Sequence, residues 1–234
     1  MEAAIVAGVG PGLGAALARA LAREGYAVGL LSRRAESSEP VAGEIRAFGK
    51  ALVVPADVTE RAAVFAAVAR VRSELGPVAV LAYNAGGFGR GKFLELDPNA
   101  IRQSFEVGVM GAVHLAQAVI PDMLELGHGA ISLTGATASL RGRSGFAPLA
   151  IAKSGLRMLG QALAREFHPQ GIHVVHVIVD GQIDTPRLRA REPERAGDTM
   201  IPPDAIAAAI VHVFKQPKNA WTQELDIRPY RETF

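Results

Sequence analysis

Cysteine is absent from the 234 residues. Its absence excludes a disulfide framework, a thiolate metal site and a Cys nucleophile, and it fits a reducing compartment. A surplus of one charge is missing too. Lys plus Arg total 25 against 23 Asp plus Glu, a net charge of +2. So small an excess is not the clustered basic face that nucleic acid requires, and no nucleic-acid partner is expected. No run approaches the ~18 apolar residues of a membrane-spanning helix, so no membrane association is expected either. The first residues, Met1-Glu2-Ala3-Ala4-Ile5-Val6, hold neither a basic region nor a long apolar core, unlike a secretory signal. No repeat of ~20–50 residues is visible, which excludes a solenoid. The expectation is a soluble cytoplasmic protein without a metal.

Apolar residues make up 49% and charged residues 21%, the mix of a globular chain. Short aliphatic runs alternate with Ala/Leu-rich helical stretches. Ile5-Val6-Ala7 reads as a strand, residues 13–24 as a helix stopped by Gly25, and residues 27–31 as a second strand. A helix follows at 40–48, a strand at 52–54, a helix at 60–75 and a strand at 78–82. A long helix over 98–126 precedes a strand at 130–134, and another over 146–168 precedes the apolar strand 172–179. A helix at 203–215 and a strand at 223–227 close the chain. This alternation predicts an α/β, Rossmann-like doubly wound parallel sheet in three layers, one domain over 1–234. Residues 182–200 hold four Arg, two Glu and two Pro without a clean period, and read as a lid-like loop.

After the first strand comes Ala7-Gly8-Val9-Gly10-Pro11-Gly12-Leu13-Gly14. Glycines let a backbone turn sharply and approach a pyrophosphate, and the helix behind offers free N–H groups with a partial positive charge. A tight turn alone would explain the glycines. Their place, between a strand and a helix with a second strand at the expected distance, favours the dinucleotide. At the end of that second strand stands Leu31-Ser32-Arg33-Arg34. An NAD site places an acid there for the ribose 2′-hydroxyl, whereas an NADP site replaces it and adds Arg for the 2′-phosphate. Ser32 and Arg33 fit NADP (NADPH) over NAD.

These residues resemble the short-chain dehydrogenase/reductase family in its single-domain form, over nearly the whole chain. Gly8, Gly12 and Gly14 match its TGxxxGxG turn, with Ala7 for Thr. Asp57, followed by Val58, matches its adenine-binding acid. Tyr83-Asn84-Ala85-Gly86 is similar to its NNAG turn. Asp180-Gly181-Gln182-Ile183-Asp184-Thr185 is similar to its nicotinamide-facing PGxxxT, with Asp180 for Pro. The resemblance implies cofactor contacts from Gly8, Gly10, Gly12, Leu13 and Gly14, from Ser32, Arg33, Asp57 and Val58, and from Asn84, Ala85, Gly86, Gly181, Ile183 and Thr185.

The family's catalytic set is Tyr-x-x-x-Lys, a Ser thirteen residues before the Tyr, and an Asn. Here Lys153 stands in place, while Leu149, Ala136 and Gly108 occupy the Tyr, Ser and Asn positions. The Tyr hydroxyl exchanges the substrate proton, the Ser polarises the carbonyl, and the Lys bonds the nicotinamide ribose. General acid–base catalysis contributes roughly 10²–10⁴-fold, and a Leu offers no proton. Thr134 and Thr137 flank the missing Ser and are the first substitutes; Ser139, Ser144, Tyr83 and His114 are others. Arg141, Arg143 and the arginines at 187, 189, 191 and 195 either face an anionic substrate or are solvated partners of Glu192 and Glu194.

Two functions compete. One is an NADP-dependent oxidoreductase with an atypical site acting on a small molecule, with reduction of an activated C=C bond open to it, since some relatives that reduce enoyl thioesters lack the Tyr. The other is a non-catalytic dinucleotide-binding protein, a redox sensor or partner subunit. A homodimer or homotetramer is expected through the two long helices, with Gly108 and Gly111 allowing close approach.

Overall fold

The computed structural model describes residues 1–87 and 89–231. Its elements run β1 (Ala3–Ala7), α1 (Leu13–Arg23), β2 (Ala27–Ser32), α2 (Glu39–Arg46), β3 (Ala51–Pro55), α3 (Arg61–Leu75) and β4 (Val78–Tyr83). They continue with α4 (Pro98–Phe105), α5 (Gly111–Leu126), β5 (Gly129–Thr134), α6 (Ala147–Phe167) and β6 (Ile172–Val179). Last come β7 (Gln182–Ile183), α7 (Pro186–Arg191), β8 (Met200–Ile201), α8 (Pro203–Phe214) and β9 (Glu224–Ile227).

Seven strands form one sheet in the order β3-β2-β1-β4-β5-β6-β9, every neighbouring pair parallel. Parallel strands need crossovers, and helices on both faces bury the sheet. β6 shows the consequence, with all eight residues buried. One apolar layer packs Leu13, Leu17 and Leu21 of α1, Ile45 of α2 and Ile206 and Ile210 of α8 on the sheet. The other packs Val64 and Val71 of α3, Leu115 and Val119 of α5 and Leu156 of α6. Strand order reverses beside β1, whose neighbours are β2 and β4. That leaves a crevice beyond the carboxyl ends of the strands, where such sheets bind ligands.

Two segments depart from the sequence reading. The helix expected over 98–126 is interrupted by a π-turn at Glu106–Met110. Tyr83, wholly buried beneath it, donates its hydroxyl to the Val107 carbonyl in that turn. A β-carbon at Gly111, just beyond the turn, would also collide with the Tyr83 hydroxyl. The loop expected at 182–200 contains the parallel pair β7 and β8 and the helix α7, started by Pro186 and by Thr185, whose Oγ1 accepts from Leu188 N at 3.2 Å. Strands of two residues are too short to show a period.

Among the described residues, one helical stretch, Pro98–Leu126, is long and apolar enough to cross a membrane by length and composition, though polar residues such as His114 and Gln117 interrupt it. Its most apolar window is 67% buried inside the protein, as a helix of the core would be.

Candidate cofactor and catalytic site

A cleft of about 550 Å³ opens at the crevice, lined by Gly8, Ser32, Arg33, Asp57, Asn84 and Gly86 among others. Gly8 and Val9 of the glycine turn line it. A β-carbon at Gly8 would lie 2.6 Å from Ala85 N, and one at Gly14 would collide with the Gly8 carbonyl. A β-carbon at Gly10 would meet no protein atom within 4 Å, so this backbone faces open space. Asn84 fixes the turn from across the switch point: its Nδ2 donates to Gly8 O at 3.0 Å and its backbone N to Ala7 O at 2.9 Å. Leu13 is buried at the start of α1.

Beside β2, Ser32 Oγ donates to Arg34 O at 2.7 Å and lies 2.7 Å from the buried Ser38 Oγ. Arg33 and Arg34 line the cleft, and neither forms an ion pair among the described residues. Asp57 Oδ1 accepts from Thr59 N at 3.0 Å and from Thr59 Oγ1 at 2.8 Å. The Thr59 amide, aided by the Thr59 hydroxyl and Arg33, holds this carboxyl below its usual range against partial burial. Val58 is buried beneath Gly111.

The segment after β6 reaches back to the glycine turn. A β-carbon at Gly12 would lie 2.9 Å from Thr185 Cγ2. Gly181 has φ +157 and backs onto Pro229, and Ile183 pairs with Ile201. Three arginines here take carboxylate partners: the exposed Arg189 with Asp184, and the exposed Arg191 and half-buried Arg195 with Glu192. The solvated reading with Glu192 as partner fits Arg191; Arg189 takes Asp184 in place of a glutamate, and Arg195 is half-buried.

The positions that the resemblance assigns to catalysis fall on α6, in the π-turn and just beyond β5. Lys153 is 8% exposed, and its Nζ donates to Thr134 O at 2.5 Å. Burial lowers its pKa to about 8. A β-carbon at Gly86 would stand 3.5 Å from Nζ. Leu149, four positions before it on α6, is half-buried, as is Ala136. Gly108 is buried, with room for no side chain: a β-carbon there would lie 2.9 Å from the Ala152 methyl.

The substitute donors separate clearly. Thr137 gives its hydroxyl to Asp180, which is buried and also 3.2 Å from Arg228 Nη2. The buried Thr134 hydroxyl has no hydrogen-bond partner among the described residues. Ser139 is buried, and Ser144 is exposed on the loop before α6. Tyr83 is wholly buried and gives its hydroxyl to Val107 O; burial pushes its phenol far up, with Asp57 adding to the shift. His114 lies in the core, its Nδ1 3.1 Å from Val58 O.

The sequence reading missed a partly buried polar chain behind these positions. Ala136 N donates to Ser139 Oγ at 3.1 Å, and Ser139 Oγ lies 3.2 Å from His176 Nε2. His176 Nδ1 lies 3.3 Å from Glu224 Oε2, and Arg157 grips Glu224 with two hydrogen bonds of 2.6 and 2.8 Å. Burial lowers the His176 pKa to about 4, against the pull of Glu224, so the ring is neutral near pH 7. Gly135 is required beside it, since a β-carbon there would collide with His176 Nε2. The signal was present: two histidines interrupt an otherwise aliphatic β6, Ile172-His173-Val174-Val175-His176-Val177.

Residues 2–196 match the short chain dehydrogenase family. The chain is 30% identical to the 3-oxoacyl-acyl-carrier-protein reductase of Escherichia coli K12 over 195 residues, 83% of this chain and 79% of that protein. It is 26% identical to an uncharacterised oxidoreductase of Staphylococcus aureus USA300, covering 97% of both. Among solved structures, a short-chain dehydrogenase from Rhodopseudomonas palustris superposes with a TM-score of 0.83 at 35% identity, covering 97% of this chain and 99% of that one. An actinorhodin polyketide ketoreductase with NADPH superposes with a TM-score of 0.89 at 26% identity, covering 100% and 98%.

Proposed function

Because this chain belongs to the short-chain dehydrogenase family, we propose that it is an NADP-dependent oxidoreductase whose site does without the usual Ser, Tyr and Asn. The observation that carries the cofactor reading is the pair Arg33 and Arg34, free of ion pairs among the described residues, beside Ser32 in the cleft where an NAD site would hold an acid. The structures of the actinorhodin ketoreductase with NADPH and of a metagenomic short-chain oxidoreductase in complex with NADP support it.

The residues present fit the dinucleotide. The open backbone at Gly10 and the N-terminus of α1 would take the pyrophosphate. Arg33 and Arg34 would bind the 2′-phosphate as charge-assisted donors. Asp57 and Val58 would meet the adenine, Asn84, Ala85, Gly86 and Lys153 the nicotinamide ribose, and Gly181, Ile183 and Thr185 the nicotinamide. When bound, NADPH supplies a hydride. The chain's own part is to orient it and exclude water; the 182–200 segment is read as the lid that completes this exclusion.

Leu149 and Ala136 give neither a proton nor polarisation, so carbonyl reduction is weak. Hydride delivery to an activated C=C bond asks less of the protein, since water can protonate the neighbouring carbon. Calorimetry tests the cofactor assignment. Charge-assisted hydrogen bonds are worth ~1.5–3 kcal/mol each, so NADPH is expected to bind at least about tenfold more tightly than NADH. Ser32→Asp with Arg33→Ala is expected to invert the order. Equal affinities for the two cofactors would refute the assignment.

A further inference from the structure

Two hydrogen bonds meet at the Arg34 carbonyl. Ser32 Oγ donates to it at 2.7 Å, and Ser37 N, at the end of the short turn Ala35–Ser37, donates to it at 3.2 Å. A serine hydroxyl has one hydrogen, and that of Ser32 is committed to this carbonyl. The contact of 2.7 Å between Ser32 Oγ and Ser38 Oγ is therefore made with the Ser38 hydrogen. Ser38 is wholly buried and, unlike Ser32, Arg33, Arg34 and Ser37, does not line the cleft. Its backbone is anchored on both sides: Ser38 N donates to Ala35 O and Ala42 N, in α2, donates to Ser38 O, each at 2.9 Å.

We propose that Ser38 is a positioning residue for cofactor choice: acting through Ser32, it fixes the turn that presents Arg33 and Arg34 to the 2′-phosphate. This role rests on the NADP assignment proposed above. It also gives Ser32 a part of its own. The Ser32 hydrogen is spent inside the turn, so Ser32 holds the arginine backbone in place and leaves the phosphate to the two guanidinium groups.

Neither guanidinium is held by an ion pair among the described residues. What aims the two side chains is the backbone they start from. Ordering an arginine costs side-chain entropy, and a turn already held in one conformation lowers the cost that binding must meet. Without the Ser38 hydroxyl, Ser32 Oγ loses the donor that fixes it, and the hold on Arg34 O loosens. NADH carries no 2′-phosphate and gains nothing from the aim of these arginines.

The test is calorimetry of NADPH and of NADH with wild type, Ser38→Ala, Ser32→Ala and the double variant. Ser38→Ala is expected to weaken NADPH roughly fivefold, the worth of about one neutral hydrogen bond, and to leave NADH unchanged. Because Ser38 acts through Ser32, the double variant is expected to bind NADPH no worse than Ser32→Ala alone. Ser38→Cys, with nearly the same size and only a weak donor, is expected to weaken NADPH selectively as well, and it carries the comparison if Ser38→Ala loses NADH binding too. A wild type that prefers NADPH beside Ser38 variants that keep the full preference would overturn this role and leave the NADP assignment standing. So would NADH affinity that falls as far as NADPH affinity in Ser38→Cys, or a double variant whose NADPH loss is the sum of the two single losses. Equal affinities in wild type would overturn both.

Discussion

Gly108 lies against Ala152 so closely that a β-carbon at position 108 would stand 2.9 Å from the Ala152 methyl. The π-turn packs directly on the Ala152 methyl of α6 there. The position the family gives to an Asn is thus closed by packing, apart from any loss of chemistry. Gly108→Asn is expected to cost about 1–3 kcal/mol through overpacking. Ala152→Gly added to it is expected to recover part of that loss. Chemical denaturation of the three variants measures both effects, and a neutral Gly108→Asn would show that the helices separate at little cost.

Leu149 and Ala136 face the same question without the same obstacle, since both are half-buried. Leu149→Tyr puts a phenol one turn from Lys153, and Ala136→Ser adds a hydroxyl at the end of β5. The double variant is expected to gain carbonyl reductase activity, by at most the roughly 10²–10⁴-fold of general acid catalysis. NADPH oxidation with reactive ketones, compared across wild type, both single variants and the double, measures the gain. A folded, NADPH-binding double variant with no gain would refute it.

His176 is expected to make the fold acid-sensitive. Its pKa is about 4 in the folded protein, against ~6.5 when unfolded. As pH falls below the unfolded value, the unfolded chain takes up the proton first. The stability of the neutral ring is therefore complete above pH ~6.5 and is lost progressively toward pH 4, by about 3 kcal/mol in all. Melting temperature measured from pH 7 to pH 4 is expected to fall, and His176→Gln is expected to flatten that slope. The same slope in wild type and variant would assign the acid sensitivity elsewhere.

Self-association is expected through the long helices. Phe105, Ile151 and Met158 lie on α4 and α6 with 36%, 43% and 51% of their surface exposed, and apolar side chains of this size gain by being covered. Light scattering at micromolar concentration is expected to give a dimer or tetramer, and Ile151→Arg with Met158→Arg is expected to shift it toward monomer. A wild-type monomer would contradict this.

The parts of the fold legible in the sequence were those with a period or a local signature. The strand–helix alternation gives the sheet, and the Gly8 to Gly14 turn and Asn84 sit together at its switch point. The π-turn was not legible, because its partner, Tyr83, lies 24 positions from Val107. The Ser139–His176–Glu224–Arg157 chain was hidden for the same reason, its links spanning 37 and 67 positions. Asp180 could be noticed only as an odd residue for its place. Its partners, Thr137 and Arg228, are set by where β5, β6 and β9 end side by side.

The rate of NADPH oxidation by the wild-type protein, offered ketones in one panel and enoyl thioesters in another, tests the central claim most directly. The account predicts turnover with an enoyl thioester, little or none with ketones, and loss of the activity in Lys153→Ala. Bound NADPH that stays unoxidised across both panels would contradict it, and so would ketone reduction at an ordinary rate.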